Sequence, residues 1–136
     1  MVDFSPRSRE RLGSCDERLQ RLFRAVLQRA DCTIICGHRT AIDQDEVVRT
    51  GKSKLAWPNS KHNSLPSRAV DVAPCWPAPT SIPWDNKRAF DLFAGIVLAT
   101  ADELGIKVRW GGDWDGNRIP GDESAFHDLP HWELVG

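Results

Sequence analysis

The chain has 136 residues, 40% of them apolar, and a formal net charge of −1. That length allows one domain with a real core and no need of disulfide staples. The near-neutral charge excludes nucleic acid as the default partner, and no run of about 18 apolar residues offers a membrane span. The start, Met1 to Pro6, has no apolar signal-peptide core. The protein is therefore expected to stay in the cytoplasm in which it is made unless something else releases it.

In chain order, the sequence predicts a short helix over Ser8 to Leu12 and a capping box at Ser14-Cys15-Asp16-Glu17. A second helix follows, with Leu19, Leu22, Phe23, Val26 and Leu27 at helical spacing. Cys32 to Cys36 reads as a strand closed by Gly37. Its two sulfurs, four residues apart, are expected on one face as small buried thiols. No second close cysteine pair accompanies them, so neither a zinc ribbon nor a disulfide frame is expected from Cys15, Cys32, Cys36 and Cys75. Thr40 can cap a helix over Ala41 to Arg49, stopped by Gly51.

Residues 51–67 read as loop, and Arg68 to Val72 as a second strand closed by Pro74. The four prolines Pro74, Pro77, Pro79 and Pro83 exclude helix or central strand there. Asp85 or Asn86 caps the longest helix, whose stripe is Phe90, Phe93, Val97, Ala101 and Leu104, with Gly105 as its stop. Ile106 to Trp110 is a third strand, 111–129 a loop, and His131 to Val135 a last short strand. The expected fold is α+β: a single domain over 1–136, with helices packed on a small, mostly antiparallel sheet and the functional site at its edge.

Two blocks carry the chemistry. The first is Ser60-Lys61-His62 with Ala69-Val70-Asp71-Val72-Ala73-Pro74. The second is Asp128-Leu129-Pro130-His131-Trp132-Glu133-Leu134. Together they offer His62, Asp71 and His131 as metal ligands. An ionised aspartate between apolar strand residues is costly to bury unless it is paired or bound to a cation. Three protein ligands leave a fourth tetrahedral position open, as a catalytic zinc requires. A salt bridge from Asp71 to Arg39 or Arg68 is the plainer alternative.

With Gly37-His38-Arg39-Thr40, these blocks resemble the zinc peptidases of the D-alanyl-D-alanine carboxypeptidase and L-alanyl-D-glutamate endopeptidase family, its short phage endolysins above all. The likeness runs from about Phe4 to Val135. It implies Zn2+ held by His62, Asp71 and His131, with Asp128 as the general base. It also implies that Arg39 contacts substrate near the scissile bond and that Ser60 hydrogen-bonds substrate. The implied activity is hydrolysis of the L-alanyl-D-glutamate bond of the peptidoglycan stem. The alternatives are D-alanyl-D-alanine carboxypeptidase activity, a zinc-containing wall-binding module without catalysis, or a structural zinc protein. An endolysin would wait in the host cytoplasm as a monomer and reach peptidoglycan through a partner holin.

Several residues remain open. Glu133 shares a strand face with His131, so it is a rival base or an orienting group for a histidine. Arg39 has a plainer use pairing with Asp43 or Glu46. His38 is not expected to ligate, and the sequence does not decide the role of His127. Asp113-Trp114-Asp115-Gly116-Asn117 begins like a Ca2+ loop, but Arg118 and Ser124 stand where an EF-hand needs glycine and glutamate. Side chains there bonding their own backbone are the simpler reading. Trp57 and Trp132 are expected to wall the cleft. The seven arginines among residues 1–30 read as a solvated helix face rather than a polymer-binding patch.

Overall fold

The computed structural model describes residues 2–77, 81–119 and 127–136. Four helices and four strands follow the predicted order: α1 (Pro6–Gly13), α2 (Glu17–Leu27), β1 (Cys32–Cys36), α3 (Ala41–Arg49), β2 (Ala69–Pro74), α4 (Lys87–Leu104), β3 (Val108–Trp110) and β4 (His131–Leu134). A 3-10 turn, Lys61–Asn63, lies within the stretch expected to be loop.

The strands form one sheet in the order β1-β2-β4-β3, with every pair antiparallel. Helix α2 packs on α4, α4 reaches β2 and β3, and α1 lies against β1. Phe23, Phe93, Val97, Val70, Val72, Trp132 and Leu134 meet in the core between them. Alternation along β2 and β4 therefore gives the sheet two faces. Val70, Val72, Trp132 and Leu134 turn into the core, while Asp71, His131 and Glu133 fall on the other face.

Local signals explain most element ends. Thr40 and Asp43 form a reciprocal capping box on α3. Asn86 caps α4, and Gly105 ends it at φ 69° in the left-handed region. The box expected at Ser14 does not form. Asp16 is the cap of α2, and its carboxylate accepts from Arg18 N. Ser14 closes α1 instead. Its hydroxyl donates to Arg11 O and accepts from His38 N, which ties α1 to the chain leaving β1.

A second correction concerns the cysteines. Ile34 pairs with Val72, but the next paired residue, Cys36, lies opposite Asp71, so β1 carries a bulge between them. The extra residue turns Cys36 to the Asp71 face while Cys32 stays in the core. All four cysteines are free thiols. Burial raises the Cys15 pKa to about 12 and also raises that of Cys32.

Candidate metal centre and active site

Each site residue is placed by a different local device. Ser60 caps the 3-10 turn, its hydroxyl accepting from His62 N at 3.2 Å, while Asn63 Oδ1 accepts from Ser60 N at 3.1 Å. His62 is thereby carried over the sheet and is 1% exposed. Asp71 lies within the fully buried strand β2, and the β2–β4 register sets His131 directly opposite it. Asp128 is brought in by Gly111, whose carbonyl accepts from Asp128 N at 2.9 Å. A Cβ on Gly111 would lie 2.0 Å from the Asp128 carbonyl oxygen, so only glycine permits this approach.

Three donor atoms converge. His62 Nε2 is 3.2 Å from Asp71 Oδ1, His131 Nδ1 is 3.3 Å from Asp71 Oδ1, and the two ring nitrogens are 3.3 Å apart. Atoms bound to a tetrahedral zinc at about 2.0–2.1 Å stand roughly 3.3–3.4 Å from each other. The triangle thus fits a zinc-sized divalent ion. The opposite ring nitrogens are engaged elsewhere: His62 Nδ1 with Gly37 O at 2.8 Å, and His131 Nε2 with Glu133 Oε1 at 2.9 Å. Partners of this kind fix the tautomer and turn the free lone pair toward a metal.

The electrostatics match this geometry. Burial opposes protonating His62, yet the Asp71 carboxylate outweighs it and moves the imidazole pKa up to about 10. Burial likewise opposes ionising Asp71, but His62 and His131 hold it well below the usual carboxylate range. A cation in the triangle would take the place of these protons. Cys36, which the sequence placed in the core, approaches His62 and Asp71, and its sulfur could join them around an ion.

Asp128 meets Asp71 and His131 in a second grouping of ligand-type atoms. Its carboxyl pKa is raised by burial and by the nearby Asp71 charge. Arg39 donates to Asp71 Oδ2 and to Gln44 Oε1, both at 3.2 Å, rather than to Asp43 or Glu46. Gln44 carried no signal in the sequence. It is fully buried, also accepts from Asn63 Nδ2, and donates to Ser53 Oγ and Leu55 O.

An open cleft of about 310 Å³ lies over these groups, lined by Arg39, Ser60, His62, Asp128 and His131 among others. Trp114 lines it too and lies 5.5 Å from the His131 ring. Trp132, expected at the cleft wall, is instead fully buried and stacks on Trp110, because its β4 neighbours His131 and Glu133 take the other face. Trp57 is about half exposed and lies outside the cleft lining. His38 Nδ1 meets Ser64 O at 2.9 Å, away from the triangle.

The Ca2+ expectation is reached only in part. Asp115 Oδ1 accepts from Asn117 N and Asn117 Oδ1 from Ile119 N, the local bonding of a turn. Asp122, Glu123 and Ser124 lie outside the described residues. Among the described residues, each metal-capable grouping named above includes Asp71.

The profile of the phage L-alanyl-D-glutamate peptidases matches residues 1–135. The chain belongs to that family. It is 32% identical over 136 residues to the L-alanyl-D-glutamate peptidase of Escherichia phage T5, covering 97% of each chain. Its fold superposes on the Serratia marcescens L-Ala D-Glu endopeptidase ChiX with a TM-score of 0.76 and 29% identity, over 98% of this chain and 90% of that one. As expected from the sequence, the chain is an α+β domain, with the candidate ligands Asp71 on β2, His131 on β4 and His62 on the 3-10 turn beside them. Among its described residues, no helix is long and apolar enough to cross a membrane.

Proposed function

We propose that the protein is a zinc-dependent endolysin that hydrolyses the L-alanyl-D-glutamate bond of the peptidoglycan stem peptide. The observation that carries this reading is the triangle of His62 Nε2, Asp71 Oδ1 and His131 Nδ1, with edges of 3.2–3.3 Å, at the floor of an open cleft. The family membership and the relative of phage T5 support the choice of bond. Two imidazoles and one carboxylate suit zinc and leave a coordination position for water or substrate.

Bound zinc would supply a Lewis acid and lower the pKa of its water to about 7. The chain's own groups do the rest. Asp128 takes a proton from the attacking water as it adds to the alanyl carbonyl, and returns that proton to the glutamate nitrogen as the C–N bond breaks. A carboxyl whose pKa is raised by burial is suited to this carrying role. Arg39 is fixed by Asp71 and Gln44 and keeps further N–H groups for the carbonyl oxygen as negative charge develops there. Ser60 lines the cleft and, besides capping the His62 turn, is placed to bond substrate. Glu133 holds His131 in its tautomer rather than moving protons. The whole of 1–136 is the catalytic domain in this reading. It works as a monomer stored in the host cytoplasm and reaches the wall through a holin.

Digestion of purified peptidoglycan, followed by mass-spectrometric identification of new amino termini, tests the reading. New D-glutamate amino termini, absent after chelation, are expected. Release of free D-alanine without them would instead identify a carboxypeptidase.

A further inference from the structure

The cleft has a wall that the hydrolytic chemistry does not use. Helix α3 ends at Arg49, Gly51 turns the chain at φ 78°, and Lys52, Ser53, Lys54 and Leu55 run along the cleft. This loop is held firmly. Val47 O accepts from Lys52 N at 2.8 Å and from Ser53 N at 3.1 Å, and the buried Gln44 amide donates to Ser53 Oγ and to Leu55 O. The same amide's oxygen accepts from Arg39 and from Asn63, beside His62. Gln44 therefore joins the loop to the catalytic groups as one frame.

Four cations line the cleft: Arg39, Lys52, Lys54 and Lys61. Arg39 is paired with Asp71, and Lys61 bonds Glu133 at 3.1 Å and Leu134 O at 2.7 Å. Lys52 makes no ion pair among the described residues, so the loop presents positive charge to the cleft. The substrate offers a match. Glutamate has two carboxyl groups, and the peptide chain continues through at most one of them. A free carboxylate thus lies within a few bonds of the scissile nitrogen.

We propose that Lys52 and Lys54 are specificity-determining residues that receive this free carboxylate on the leaving-group side of the cleft. The inference rests on the endopeptidase reading above. It predicts discrimination between a free acid and its amide at that one position of the substrate.

The test compares kcat/KM for two short soluble peptides containing an L-alanyl-D-glutamate bond, one with the free carboxylate and one with it amidated. Wild type, Lys52→Gln, Lys54→Gln and the double variant are assayed with zinc content as the folding control. Wild type should prefer the acid about ten-fold, a preference that shrinks with added salt. In the double variant the ratio should fall toward one, with the loss on the acid peptide carried by KM rather than kcat. An unchanged acid-to-amide ratio in the double variant overturns the assignment. Loss confined to intact walls, with the short peptides cleaved as by wild type, also overturns it and assigns the lysines to an anionic wall polymer. If zinc-loaded wild type cleaves neither peptide, the endopeptidase reading itself fails, which is a different result from an unchanged ratio.

Discussion

Asp128 and Glu133 both stand beside His131, but their surroundings suit them to different work. Burial favours the neutral form of Glu133, yet hydrogen bonds from His131 and Lys61 bring its pKa down to about 2. It stays an anion and orients the ring. Asp128 has a raised pKa and borders the cleft, so it can exchange a proton. Asp128→Asn should keep zinc and lose about 10²–10⁴-fold in kcat. Glu133→Gln should instead weaken zinc binding about 10- to 100-fold, measured by competition with a chelator. An inactive, zinc-replete Glu133→Gln beside an active Asp128→Asn would reverse the two roles.

The same cluster sets a pH dependence for metal-free protein. His62 and His131 have raised pKa values, so their stabilisation is complete below the unfolded value of about 6.5 and is lost as pH rises through the folded values. Asp71 is depressed, so its contribution is present above about 3.9 and lost as pH falls through the folded value. Zinc needs both imidazoles neutral, so its binding releases protons and strengthens with pH. The gain in Tm on adding zinc should therefore be larger at pH 8 than at pH 5.5. An equal gain at both would contradict this account of the triangle.

At the scale of elements, what the sequence revealed was periodic or punctuated. The apolar stripes of α2 and α4, the Thr40 cap and the Gly105 stop are local signals, and each appears in the structure. The β1 bulge and the exchange of roles between Ser14 and Asp16 depend on partners far along the chain, such as Asp71 and His38, and no local pattern announces them. Gln44 reads as an ordinary polar helix residue, and only the fold reveals its four partners. Gln44→Ala should leave donors from Arg39 and Asn63 unmet. It is expected to cost about 1–3 kcal/mol in stability and to raise KM, by denaturant titration and kinetics. The segment carrying Asp128 has its own test. Gly111→Ala must push the Asp128 backbone away, because the neighbour is a carbonyl and not a flexible side chain. A shift of about 1 Å at the base is enough for a loss near 100-fold, with zinc content retained. Wild-type activity in Gly111→Ala would show that Asp128 need not sit where it does.

For the whole molecule, the α+β class and the three candidate ligands were legible because an ordered set of short blocks recurs in one family. The strand order was not. The pairing of Asp71 with His131 joins residues 60 positions apart, and such contacts are set by the packed core rather than by local propensity. That core holds without cross-links, since all four cysteines are free thiols. Activity should therefore survive millimolar reductant and vanish with a strong chelator. Loss with a non-chelating reductant alone would point to a disulfide. The account depends most on His62, Asp71 and His131 holding one catalytic ion. Its most direct test is zinc content per chain, measured by elemental analysis on wild type and on the His62→Ala, Asp71→Ala and His131→Ala proteins. The account predicts about one zinc in wild type and a loss in each variant. Full zinc retention in all three variants would contradict it.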